Sequence, residues 1–296
     1  MPGRLPLNAL SMPSSMLAQI TPAILTFNEA PNIGRVLAKL TWARDIVVVD
    51  SLSTDSTASF VASTTTARLF QRPFDSHAMQ WTYALSETDI KTDWVLALDA
   101  DYVLTDGLVA EIAALDPKSV ISGYSVGFDY CVAGKPVRGS LYPRGIVLFR
   151  RAKARYIQHG HTQRVVIDGT VVGLVGKIRH DDRKPLARWL SSQRRYARLE
   201  AVHLLSASLS SLGRTDRMRL LGWPAPILVF LYTLFWKGCL LDGWRGWFYV
   251  LQRTTVETMI ALEIVDRKLA GIEGRADRPN ADGVNGGTNS VDAPRP

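Results

Sequence analysis

Along residues 20–180, short apolar runs alternate with stretches of helical period. "TPAILTF" reads as a strand and is followed by "NEAPNIGRVLAKL", where Ile33, Val36, Leu37 and Leu40 recur at helical spacing. "DIVVVD" gives a second strand, and "STDSTASFVAS" opens a helix with Ser53, Thr54 and Asp55 available as caps. "ARLFQRPF" is a third strand, "SHAMQWTYALSET" the helix after it, and "WVLALDAD" a fourth strand. Such alternation with short joints predicts an α/β fold: a mostly parallel sheet flanked by helices. After Asp116 the pattern changes to an antiparallel piece, "VISGYSVGFDY", "KPVRG", "GIVLFRR" and "HTQRVVIDGTVVGLVGKIRH". From Pro185 the period is helical, with Leu186, Trp189, Leu190, Tyr196 and Ala197 on one face. An aromatic segment, "LLGWPAPILVFLYTLFWKGCLLDGWRGWFYVLQ", follows the polar joint "SLGRTDRMR".

These patterns divide the chain into a loose extension (1–19), a ligand-binding α/β domain (20–183), a helical segment (184–270) and a tail (271–296). The tail is rich in Gly, Asn, Asp and Pro and is expected to be disordered.

In parallel sheets of this kind ligands sit beyond the carboxyl ends of the strands. Polar residues gather at three such ends: Thr26, Asn28 and Glu29, then Asp50 to Asp55, then Asp99 and Asp101. The last two are notable because two carboxylates close an otherwise apolar run, and buried like charges are costly. They can be turn or cap carboxylates, a general acid–base pair, or ligands of a hard divalent cation that also takes substrate phosphates. The cation fits best. Asp50 and Glu29 can accept hydrogen bonds from a base or ribose, Thr26 and Asn28 can add more, and neither GxGxxG nor GxxxxGK[ST] is present to cradle a phosphate.

The formal net charge of +8, from 35 basic and 27 acidic residues among 296, suits anionic partners without choosing among them. Cys131 and Cys239 stand far apart and form no motif with histidine, so neither a disulfide framework nor a thiolate metal site is indicated. The first 20 residues hold Pro2, Pro6 and Pro13 and no sustained apolar core, unlike a secretory signal.

"ILTFNEAPNIGRVL", "DIVVVDSLSTDST", "QRPFDSHAMQWTYAL" and "DWVLALDADY", in this order, resemble the inverting family 2 glycosyltransferases of the glycosyltransferase-A fold. Within that family the likeness is to the bacterial beta-1,4-glucosyltransferase-like branch that builds lipopolysaccharide cores. It runs from about Ile20 to His180 and, more loosely, through the helical part. The resemblance implies a nucleotide-diphospho-sugar donor, a glycan or lipid-linked acceptor and a Mg²⁺ or Mn²⁺ ion. Thr26, Asn28, Glu29, Asp50 and Asp55 would hold the donor nucleotide, and Arg72 and Gln80 would line its diphosphate or sugar. Asp99 and Asp101 would hold the ion, with His180 of "KIRHDD" as third ligand. Where the family carries an acidic residue near the acceptor, this chain has Thr162 and Gln163 in "HGHTQRVVIDG". His161 can serve as base there, and Asp181 or Asp182 are alternatives. His159 and His161 are equally readable as a structural pair or as acceptor-binding groups.

Four of the eight tryptophans fall between Trp223 and Trp247, with Arg214, Arg217, Arg219, Lys237, Arg245 and Arg253 nearby. A helix pair closing the core and a membrane-surface contact both account for this composition. The apolar run breaks at Lys237 and carries Pro224 and Pro226, so it falls short of an ordinary span. The expected location is the cytoplasmic face of the inner membrane, peripheral or interfacially embedded. Rival readings are a nucleotidyltransferase on a sugar phosphate, and a membrane-bound nucleotide-sugar binding protein without turnover. Nucleic-acid binding is not expected, since no recognised module is present.

Overall fold

Four strands hold the apolar runs of the first half: β1 (Ile20–Thr26), β2 (Ile46–Asp50), β3 (Ala67–Gln71) and β4 (Trp94–Asp99). The computed structural model describes residues 15–159 and 162–272; most of the expected extension and of the expected tail lies outside them. The four strands run parallel in the order β3-β2-β1-β4. Side chains alternate between faces, and each face meets its own core. Ile24, Val48, Leu96 and Leu98 pack on one side, Ala23, Val47, Val49 and Val95 on the other. A sheet covered twice needs apolar residues at every position, which explains the unbroken runs.

The crossovers are α1 (Ile33–Leu37), α2 (Thr57–Ala62) and α3 (His77–Ser86). Helix α1 starts at Ile33, the first of the spaced apolar positions, where the Glu29 carbonyl accepts from the N–H groups of Asn32 and Ile33, and it ends at Leu37, short of Leu40. Ser76 caps α3 by accepting from the Met79 N–H. Met16–Gln19 form a 3₁₀ turn with Met16 buried in the main core, so this part of the expected extension belongs to the fold.

Beyond Asp99 the chain turns into a short strand, β5 (Tyr102–Leu104), and then α4 (Asp106–Ala113), capped by Thr105. There follow β6 (Ile121–Val132), β7 (Lys135–Pro136), β8 (Gly145–Arg150), β9 (Ala154–His159), β10 (Thr162–Ile167) and β11 (Thr170–His180). The sheet continues as β4-β8-β6-β11-β5. Strand β8 is antiparallel to β4 and β6, and β11 is antiparallel to β5. Against the expected antiparallel piece, β11 lies parallel to β6. The reason is that β10 leaves to pair with β9 in a separate two-stranded sheet, so β11 is not the returning arm of a hairpin. Register along β11 breaks between Gly173 and Lys177. There the Glu111 carboxylate accepts from the Val175 and Gly176 N–H groups at 2.9 and 2.7 Å. A Cβ on Gly176 would stand 2.7 Å from the Leu108 Cα, so glycine is what lets α4 press against this strand.

The last third is helical: α5 (Leu186–Ser206), α6 (Arg214–Arg219), α7 (Pro224–Leu231), a π turn (Tyr232–Trp236), a 3₁₀ turn (Cys239–Asp242) and α8 (Trp244–Ile272). Only part of the expected face of α5 is buried. Ala197, Ala201 and Leu204, with Trp189 beside them, meet Val256, Ile260 and Ile264 of α8, while Leu186 and Leu190 are exposed. Small residues four apart let α8 approach closely, and that contact decides the orientation. Arg219 ties the layer together through Glu257 at 2.6 Å. The helices also close one end of the sheet: Val132 and Val137 pack with Leu234, Tyr249 and Val250, and the Tyr249 hydroxyl accepts from the Leu141 N–H at 2.8 Å. No helix among the described residues is long and apolar enough to cross a membrane.

Candidate active site

Strands β1, β2 and β4 deliver their polar ends to one edge of the sheet. At the end of β2 Asp50 is fully buried and saturated. It accepts from the Thr26 hydroxyl at 2.9 Å, the Ser53 N–H at 2.8 Å and the Gln71 amide at 3.2 Å, and also from the Ser53 hydroxyl. Thr26 and Asp50 thus build the floor between the two strands. The loops above them interlock. The Asn28 N–H donates to Ser53 at 2.7 Å, and its side-chain oxygen accepts from the Thr54 N–H at 2.7 Å. Asn28 holds φ at 53°, which asparagine tolerates, and Leu52 holds φ at 60°, which is strained for leucine. Arg188 of α5 clamps the first loop by donating to the carbonyls of Phe27 and Asn28 at 2.7 and 2.6 Å. Asp55 accepts from Thr57 and from the Ala30 N–H. Burial would raise its carboxyl, but these hydrogen bonds outweigh it and hold the group below its usual range.

Arg72 and Gln80 are joined directly at 2.8 Å. Gln80 in turn donates to Ser51 at 2.9 Å, and Arg72 pairs with Asp75 at 2.8 Å. The two therefore sit beside the β2 end as one connected group.

Glu29 is buried against Lys184 at 2.6 Å and accepts from the Asn32 amide at 2.8 Å. Burial pushes its carboxyl up to about 7, against the pull of Lys184, with the Asp101 charge adding to the rise. Burial alone would lower Lys184; Glu29, Asp101 and Asp182 together hold it protonated, above its ordinary range. Asn32, fully buried, also donates to Asp182 at 3.0 Å and accepts from the Arg183 N–H at 3.0 Å. The loop after β1 is thereby sewn to the segment after β11.

At the exit of β4 burial pushes Asp99 up to about 6, and the neighbouring Asp101 charge contributes. Asp101 is buried. One of its oxygens faces His180 Nε2 at 3.1 Å, whereas the other, Oδ1, is buried without a partner. Burial would raise Asp101, but the His180 imidazole holds it down, and Asp101 in return holds His180 above its ordinary value against the effect of burial. The rings of Tyr102, Tyr130 and Tyr142 surround that imidazole at centroid distances of 5.4, 5.2 and 4.7 Å.

The acidic donor set fits a hard cation: two adjacent carboxylates, one oxygen of which is buried and unsatisfied, match the chemistry of Mg²⁺ or Mn²⁺. His180, the expected third ligand, is engaged through Nε2, while its Nδ1 is buried without a partner. Among the described residues no three His, Cys, Asp or Glu side chains are placed to hold a metal ion, and His180 points Nε2 at Asp101 instead. In this arrangement His180 orients Asp101.

Asp181, offered by the sequence as a base, is buried and bound by Arg35, by Arg183 at 2.9 Å and by the Gly134 N–H at 3.2 Å. Both of its oxygens are engaged, and its own N–H donates to the Asp101 carbonyl at 3.1 Å. That is an anchoring geometry. His161 lies outside the described residues. Lys184, Arg188 and Asn32 were not among the expected site residues. Their partners lie about 150 positions away or within a loop, and only the charge-dense run "RHDDRK" marks the place in the sequence. A cleft beside Lys184, lined by Tyr130, Asp182, Trp189, Phe248 and Gln252, opens between the sheet and the helical layer.

Residues 23–161 match the family described as Glycosyl transferase family 2. The chain is similar to the lipopolysaccharide core biosynthesis glycosyltransferase LpsC of Rhizobium meliloti (strain 1021), at 26% identity over 88% of this chain and 94% of LpsC. It is also similar to an uncharacterised glycosyltransferase of Rickettsia bellii (strain RML369-C), at 35% identity. That match covers only 34% of each protein, so about two thirds of the Rickettsia protein's length is unmatched. Among solved structures it is similar to S. aureus TarS 1-349 in complex with UDP-GlcNAc, at 14% identity and a TM-score of 0.44, over 88% of this chain and 93% of that one.

Proposed function

From the match of residues 23–161 to glycosyl transferase family 2, we propose an enzyme that moves a sugar from a nucleotide-diphospho-sugar to a hydroxyl of a cell-envelope glycan, with inversion at the anomeric carbon. The likeness to LpsC over most of both chains supports a lipopolysaccharide-core or lipid-linked acceptor. The observation that carries the reading is Asp101 Oδ1, a buried carboxylate oxygen without a partner, set beside Asp99 at a strand exit where two other strands also end in polar side chains. An unsatisfied buried charge is expensive unless a ligand completes it.

In this reading the loops after β1 and β2 receive the nucleoside. Thr26, Asn28, Glu29, Asp50 and Asp55 shape that nucleotide pocket, and the Arg72–Gln80 pair lines the diphosphate or sugar. Lys184, kept cationic by the acidic groups around it, adds positive charge where the diphosphate departs. Asp99 and Asp101 would hold Mg²⁺ or Mn²⁺, which when bound supplies Lewis-acid stabilisation of that leaving group. His180 keeps the Asp101 carboxylate ionised and oriented. With Asp181 tied to two guanidinium groups, the imidazole of His161 is the proton acceptor we assign for the acceptor hydroxyl.

The test is turnover of a panel of nucleotide-diphospho-sugars with Mn²⁺. Release of nucleoside diphosphate is expected, falling by at least ~10²-fold in Asp101→Asn. Release of pyrophosphate would mark a nucleotidyltransferase, and binding without any release would mark a protein that does not turn over.

A further inference from the structure

Residues 223–251 carry a surface that nothing in the fold covers. Trp223, Trp236, Leu241 and Trp244 are exposed to 74%, 82%, 70% and 59%, and Leu231 and Phe235 lie exposed among them. They come from the N-cap of α7 and α7 itself, the π turn, the 3₁₀ turn and the start of α8, which pack on one another through the cluster around Leu234, Cys239 and Tyr249. The apolar residues thus stand on a packed hairpin. So large an aromatic patch marks a surface that is covered in use.

Its charges say by what. The stretch contains three charged residues, Lys237, Asp242 and Arg245. Asp242 is turned inward and held by the N–H and guanidinium of Arg138 at 2.8 and 3.2 Å. Among the described residues neither Lys237 nor Arg245 has a carboxylate within salt-bridge distance. Each lies over an aromatic ring instead: Lys237 over Tyr232 at 5.8 Å, Arg245 over Trp244 at 4.5 Å. Apolar bodies with basic heads at their margin match the headgroup level of an acidic bilayer. A second copy of the chain matches it poorly, because a two-fold contact through this face would set the same unpaired cations against each other. No described helix is long and apolar enough to cross a bilayer.

We infer that the hairpin of residues 223–251 docks flat on anionic phospholipid, with Trp223, Trp236, Leu241 and Trp244 in the interface and Lys237 and Arg245 among the headgroups. The inference does not rest on the transfer reading: docking and donor turnover are measured separately, and either can fail alone.

The experiment is co-sedimentation of the full chain with vesicles of phosphatidylglycerol mixed equally with phosphatidylcholine, and with vesicles of phosphatidylcholine alone. The wild type is expected to pellet with the mixed vesicles, less so at high salt, and with quenching of its tryptophans by brominated lipid. W236S/L241S, at two exposed positions, should lower the apparent affinity ~tenfold or more without shifting the thermal unfolding curve. K237Q/R245Q should bring the two vesicle types to similar affinity. Three results would overturn the inference: no pelleting of the wild type with anionic vesicles, wild-type binding by W236S/L241S, or a stable dimer in light scattering that the same variant splits.

Discussion

Thr26, Asn28, Glu29 and Asp50 could be picked out because a polar residue at the end of an apolar run has few structural reasons to be there. What the sequence did not reveal is how these residues are held. Asp50 spends its oxygens on Thr26, Ser53 and Gln71, and Glu29 is paired to a lysine 155 positions away. Pairs so distant leave no local pattern, and Lys184 is an ordinary surface-type lysine until the fold brings it in. The pairing has a consequence for pH. Unfolded, Glu29 loses its proton near 4.5; folded, it keeps it to about 7. Between those values the folded chain binds more protons, so the contribution of this group is full below pH 4.5 and is lost as pH rises through 7. Glu29→Gln, which keeps an amide acceptor for Asn32, should flatten the fall in melting temperature between pH 5 and 8. The difference between the two slopes should integrate to at most about 3 kcal/mol. Parallel curves for the two proteins would show that another group titrates there.

At the scale of elements, the four parallel strands were legible because their runs are continuous and bounded by turn residues. Helix α5 was legible as a helix but only partly in its orientation: its apolar residues point in more than one direction, and the close approach of α8 at Ala197 and Ala201 selects among them. Strand β11 shows a different limit. Its apolar pattern suits a strand of either sense, and its parallel place beside β6 follows from β10 being drawn away to β9. The break in its register is set by glycine. Gly176→Ala would force a methyl group against the backbone of α4, where nothing short can yield, and should cost about 1–3 kcal/mol. Chemical denaturation reads this directly. A neutral result would mean that α4 shifts away freely, in which case the Glu111 carboxylate would lose its two backbone donors and the N–H of Gly176 would exchange faster.

At the scale of the molecule, the sheet and the helical layer are not separable pieces. Val132 and Val137 depend on Leu234, Tyr249 and Val250 for cover, and Arg188 of α5 holds the loop that carries Asn28. The aromatic segment, legible as apolar but ambiguous between core and surface, is both: Leu234, Cys239 and Tyr249 face inward while the tryptophans face out. Cutting it away would uncover core as well as remove surface, which is why point changes are the informative ones. The whole assembly places acidic strand ends, a captive lysine and an aromatic outer face around one edge of the sheet. We propose that Asp99 and Asp101 take a divalent cation together with a nucleotide-diphospho-sugar. Titration calorimetry with uridine- and guanosine-diphospho-sugars, with and without Mn²⁺, tests this most directly. Binding that strengthens at least ~tenfold with the ion, and loses that gain in Asp101→Asn, is the predicted result. Donor binding indifferent to both the ion and the substitution would contradict it.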